Sequence, residues 1–102
     1  MLLEVEKNIV KALKNVYDPE IPVNIYDLGL IYEIKVDEEG KVDVTMTLTA
    51  PNCPMADDLL EDVHSSVKDV PGVTDVTVKL TFEPEWNKDM MSEEAKLELG
   101  FL

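Results

Sequence analysis

The stretch Tyr32-Glu33-Ile34-Lys35-Val36, the turn Asp37-Glu38-Glu39-Gly40 and the run Val42-Asp43-Val44-Thr45-Met46-Thr47-Leu48 together decide the fold. Apolar and polar residues alternate on both sides of an acidic, glycine-ended turn, which is the period-two signature of a β-hairpin with one buried face. The expected strands span 31–37 and 42–49. Downstream the apolar period lengthens: Leu59, Leu60, Val63, Val67 and Val70 recur at helical spacing, predicting a helix over 54–69 that Pro71-Gly72 stops. Period two then returns in Val76, Val78, Leu80 and Phe82, a third strand over 73–82. Upstream, Val5, Ile9, Leu13 and Val16 form the stripe of an amphipathic helix over 3–16, ended by the proline at 19.

Helix, strand, strand, helix, strand is the order of a two-layer α+β sandwich. Both long helices should cover one face of a small mixed sheet. Leu13, Ile34, Val44, Met46, Leu60, Val63 and Val78 are the expected core. The opposite face would carry Thr45, Thr47, Thr77 and Thr81 unless the tail or a second copy covers it. In that tail, Trp86, Met90 and Met91 read as a lid, followed by a short helix over 93–99 with Ser92 as N-cap and Gly100 as stop. Between the first helix and the hairpin, residues 18–30 hold two prolines, a glycine and six large apolar residues. A loop this apolar must pack down on something.

Composition narrows the function. At 102 residues the chain is expected to be one domain, 1–102, with 45% apolar residues and a core of its own. Twenty-two acidic residues face nine basic ones, all lysine, giving a net charge of −13. That charge repels phosphate backbones and anionic lipid, so neither nucleic acid nor a membrane is an expected partner. The absence of a membrane-length apolar run and of an apolar leader suggests a cytoplasmic protein. A single cysteine, Cys53, fits a reducing compartment and excludes an intrachain disulfide or a complete four-cysteine metal site.

Cys53 is nevertheless placed for chemistry. It joins the second strand to the second helix, with Pro54 suited to the first helical position. As N-cap it would face unpaired N–H groups and the positive helix end, which favours the thiolate that binds metal or attacks. Asp57 and Asp58 oppose that effect. The alternative is a small, inert, buried cysteine. His64 is about three helical turns away and reads as a solvated side chain, so no Cys-His dyad forms within one chain. Asp18, Glu20 and Asp27 sit in the apolar loop and could turn toward the cysteine, or bond local backbone N–H groups.

Three segments in order resemble a known family. They are Asp18-Pro19-Glu20-Ile21-Pro22-Val23-Asn24-Ile25 leading into Asp27-Leu28-Gly29-Leu30-Ile31-Tyr32, then Thr49-x-x-x-Cys53-Pro54, then Trp86 followed by Met91-Ser92 and a Glu-rich short helix. Together they resemble the SufT/PaaD-like iron–sulfur assembly family, a former domain of unknown function shared with eukaryotic cytosolic iron–sulfur targeting factors. The chain lacks the cysteine-rich C-terminal region of the PaaD branch and fits the stand-alone SufT-like branch. The resemblance implies a non-enzymatic accessory or carrier factor in iron–sulfur protein maturation. Its hallmark cysteine maps onto Cys53, the implied metal ligand, and its acidic loop residue onto Asp27. Thr49, Asp18, Glu20 and Trp86 are partner-binding candidates.

One thiolate cannot complete a cluster's usual four ligands. The implied cofactor is thus a transient cluster or iron, bridging two chains or a partner. Expected partners are an iron–sulfur scaffold, apo iron–sulfur proteins or a second copy in a homodimer. The competing reading is a protein–protein interaction adaptor in which Cys53 is structural.

Overall fold

A computed structural model describes residues 2–18, 21–49 and 56–100. Its elements are α1 (Leu2–Leu13), β1 (Ile31–Val36), β2 (Lys41–Met46), α2 (Ala56–Lys68), β3 (Asp75–Leu80), a 3₁₀ turn (Lys88–Met90) and α3 (Glu93–Glu98). The sheet order is β1-β2-β3, with β1 antiparallel and β3 parallel to the central β2. The helices α1 and α2 pack on one another, α1 against β1 and α2 against β3. This is the expected α+β sandwich.

The hairpin forms because its turn satisfies its own backbone. Asp37 Oδ1 accepts from the N–H groups of Glu39 and Lys41, and Gly40 takes a left-handed φ of 86° that closes the turn back to Asp37. Val42, Val44 and Met46 then point into the core, each facing its partner across the sheet: Val42 beside Val36 and Val76, Val44 beside Ile34 and Val78. Tyr32 departs from the simple alternation. Pairing jumps from Ile31↔Met46 to Glu33↔Thr45, so Tyr32 is the extra residue of a bulge and Ile31 joins the core face. The Tyr32 hydroxyl instead donates to the Pro84 carbonyl at 2.8 Å.

The elements are shorter than their patterns. β2 ends at Met46 although alternation runs on to Leu48, because β3 leaves the parallel ladder at Leu80, opposite Met46. Thr47 N–H still reaches the Leu30 carbonyl, and Thr81 N–H the Met46 carbonyl, so the extended course outlasts the regular ladder. α1 gives way at Lys14, where Asn15 and Val16 bond three residues back in a tightened turn. The first two residues of the expected second helix lie outside the described residues.

The core differs in one instructive place. Leu13, Val44, Met46 and Val63 are fully buried, as expected, while Ile34 and Val78 are half-buried at the rim. On α2 the inward residue is Leu59, 2% exposed, and Leu60 is only half-buried. Leu59, Val63 and Val67 repeat every four residues, and Leu60 lies a further 100° around the helix. The apolar loop, by contrast, packs down as expected: Val23, Ile25, Leu28 and Leu30 are all core residues. Residues 24–30 form one helical turn closed in Schellman fashion. Leu30 N–H reaches the Ile25 carbonyl, and Gly29 N–H reaches that of Tyr26.

Gly29 holds a φ of 81°, and a Cβ there would run into the Met90 carbonyl of the tail. Ser92 caps α3 as expected, accepting from Ala95 N–H at 3.2 Å, and Gly100 ends it at a φ of 81°.

Two stability outcomes follow from this packing. In urea unfolding, Leu59→Ala costs about 2–5 kcal/mol, and Leu60→Ala clearly less; equal losses would reverse the facing of α2. Gly29→Ala destabilises by more than about 1 kcal/mol, since it strains the backbone and pushes the tail away. Emission of Trp86, the chain's one tryptophan, should shift to the red in the folded variant.

Candidate functional site

Of the sequence candidates, Thr49, Trp86 and Asp27 are gathered near the end of the sheet where β2 and β3 finish. Glu20 and Cys53, the expected N-cap of the second helix, lie outside the described residues. The residues around that junction are described. Thr49, half-buried, lines a depression of about 170 Å³ together with Leu48, Phe82, Glu85 and Trp86. Only three residues of sequence separate Thr49 from Cys53, so this depression lies at the described end of the stretch that leads to the cysteine.

Trp86 joins this depression to the apolar loop. Its indole Nε1 donates to the Leu28 carbonyl at 2.6 Å, while its ring lies beside Thr49. The next anchor is one residue away: Ser92 N–H donates to the Asp27 carbonyl at 2.7 Å. The tail thus crosses the Schellman turn and is held by two successive carbonyls. Asp27, Thr49 and Trp86, far apart in sequence, are brought to one region by these bonds. Trp86 and buried Met91 form the expected lid.

The acidic loop residues are engaged locally. Asp27 N–H donates to Asn24 Oδ1 at 2.9 Å, and Asn24 Nδ2 donates to Asp27 Oδ2 at 2.8 Å. This reciprocal pair fixes the first turn as a capping box does, and it orients a half-exposed carboxylate. Asp18, nearly buried, accepts from Ile21 N–H at 3.1 Å, the local backbone bond that short acidic side chains make in turns. His64 is solvent-exposed on α2, as expected.

Three features of the region were not singled out from sequence. Phe82, read as a strand residue on the core face, is 37% exposed and lines the depression, because β3 stops before it. Glu85 supplies a carboxylate to the rim. Thr47, expected on the open sheet face, is completely buried, and its hydroxyl has no partner among the described residues. Such a group costs about 1–3 kcal/mol. The first is a matter of where a ladder ends and the last of which remote chain covers a position, and neither leaves a local signal.

A larger depression among the described residues, about 580 Å³, lies elsewhere. Lys41, Val42, Asp43 and Asp75 line it at the hairpin end of the sheet, roughly 20 Å from Thr49 at the rise per residue of a strand. Its lining is mostly exposed strand side chains, and none of the described sequence candidates lines it. Among the described residues no group of three or more His, Cys, Asp or Glu side chains is placed to hold a metal ion. No described helix is long and apolar enough to cross a membrane.

Comparison with known proteins agrees with the architecture. The model of the iron–sulfur cluster assembly protein family matches residues 6–80. An Fe-S protein maturation auxiliary factor of Porphyromonas gingivalis is 67% identical over 100 residues, which cover 98% of this chain and 95% of that protein. The Fe-S protein maturation auxiliary factor SufT of Staphylococcus aureus is 42% identical over 85 residues, covering 83% of this chain and 97% of that one. A crystal structure of a domain of unknown function from Bacillus anthracis superposes with a TM-score of 0.91 at 37% identity, over 98% of this chain and 95% of the other. With three-quarters of the chain inside the family model and near full-length relatives on both sequence and structure, the protein belongs to the iron–sulfur cluster assembly protein family.

Proposed function

We propose that the protein is an accessory factor in iron–sulfur protein maturation, presenting Cys53 to a cluster or iron that is its cargo. The observation that carries this reading is the 67% identity, across 98% of the chain, to a maturation auxiliary factor. One cysteine supplies one thiolate, whereas a cluster takes four ligands. A scaffold or a client apo-protein would therefore complete the shell during transfer. Such a shell suits handover and not storage, so the factor acts without turnover of its own. The Asp27 carboxylate, held by Asn24 in the region of Thr49 and Trp86, would provide a second oxygen donor or a docking charge for the client. A net charge of −13 and a lone cysteine support a soluble factor in a reducing cytoplasm.

A second reading has its own support. Leu80 and Phe82 are 41% and 37% exposed beside the Trp86 depression, an apolar strip suited to docking a partner. In that adaptor, Cys53 is structural.

Complementation separates the two. In a strain lacking its own maturation factor, wild type restores aconitase activity under iron limitation. Cys53→Ser should keep the wild-type melting temperature and lose the rescue. Asp27→Asn, which retains an acceptor for Asn24 Nδ2 but removes the charge, should rescue only partly. Full rescue by Cys53→Ser would leave the adaptor standing.

A further inference from the structure

β3 is an edge strand whose outer rim makes no backbone–backbone bond among the described residues. Its phase is fixed. Thr81 N–H turns inward to the Met46 carbonyl, so the odd-numbered residues bond toward β2 and the even-numbered ones face outward. Val76 N–H is outward, and its bond goes to the side chain of its neighbour, Asp75 Oδ1, at 2.9 Å. Side chains alternate in the other sense. Asp75, Thr77 and Lys79 stand exposed on one face; Val76, Val78 and Leu80 lie on the other, increasingly exposed toward Leu80.

The charges on this edge are unmatched. On the opposite edge, Glu33 and Lys35 of β1 pair with each other at 3.5 Å. Among the described residues, Lys79 has no anionic partner and Asp75 no cationic one. They sit two residues either side of Thr77, one of each sign.

We propose that β3 is a self-recognition edge: it pairs antiparallel with β3 of a second copy, on a two-fold axis at Thr77. That register sets Asp75 opposite the partner's Lys79, and Lys79 opposite the partner's Asp75. Both are non-hydrogen-bonded positions, where side chains approach closest. Val76 and the partner's Val78 then exchange their outward N–H and C=O groups, and the symmetric pair does the same. For this the Asp75 carboxylate leaves its own Val76 N–H for the partner's lysine. Neighbouring registers lack this match. An axis at Val78 sets Lys79 against Thr77, and an axis at Lys79 or Asp75 sets like charges face to face. Among axes within this strand, only Thr77 is matched in charge, and isologous pairing requires such self-complementarity.

The dimer is a six-stranded sheet in which the Thr49–Trp86 ends lie at opposite ends. Each copy then handles its cargo alone, with the remaining ligands coming from the client and not from the second copy. The pairing rests on the edge geometry alone, and its consequence for the cargo rests on the proposed function.

Sedimentation velocity on the full chain, in 150 mM salt from micromolar to millimolar concentration, should show a reversible monomer–dimer equilibrium. The repulsion of two chains of charge −13 keeps it weak. Lys79→Glu should weaken dimerisation about tenfold or more, and the swap Asp75→Lys/Lys79→Glu should restore it. In a Cys53→Ser background, Thr77→Cys should form a disulfide-linked dimer on mild oxidation, and a cysteine at the buried Val76 should not. A chain that stays monomeric throughout, or a dimer indifferent to Lys79→Glu, overturns the proposal.

Discussion

The single turn at residues 24–30 is the constraint on which the rest of the structure depends. It is closed by two backbone bonds that only a left-handed residue after the turn permits, and Gly29 supplies that residue. Closing it buries Ile25, Leu28 and Leu30 in the core and turns the carbonyls of Asp27 and Leu28 outward as acceptors. Those two carbonyls receive Ser92 N–H and the Trp86 indole. Without the glycine, the Met90 backbone could not approach, and the tail would have no seat.

From that seat the functional region is assembled. The tail lays Trp86 and Glu85 beside Leu48 and Thr49, next to the junction leading to Cys53. The apolar loop brings Asp27 to the tail's other anchor, where Asn24 orients the carboxylate. Burying the apolar side chains of an irregular loop is unusual, because its backbone groups must be satisfied without regular ladders. Here they are met by the Tyr17–Asn24 bridge, by Asp18 accepting from Ile21, and by the Schellman bonds. The loop is therefore part of the core and can position a side chain as firmly as a strand does.

Under the proposed function, one thiolate alone would not hold a cluster against release, which suits handover. The exposed Leu80 and Phe82 beside the Trp86 depression leave apolar area open at the same end of the sheet. The other end carries the acidic hairpin turn and, among the described residues, no exposed large apolar side chain. The asymmetry follows from the crossover β2-α2-β3, which gathers a strand-to-helix junction and two strand ends on one side. Ligand sites of α/β units recur at such edges.

What the sequence determined by itself was everything carried by local periodicity and local chemistry. The hairpin, the buried core residues Leu13, Val44, Met46 and Val63, the Ser92 cap, the glycine stops and the packed-down loop each follow from residues close in the chain. The family motifs were legible for the same reason, being short and ordered. Tertiary structure decided the matters that depend on neighbours remote in sequence. Leu59 and not Leu60 faces inward because the stripe is set by where β3 and α1 lie. β2 ends at Met46 because its parallel partner ends there, and Tyr32 bulges to reach Pro84. Trp86 lies beside Thr49 because the tail folds back over the turn at Gly29. A residue's own spacing fixes which way it can point, but what it meets there is set by chain that arrives from elsewhere.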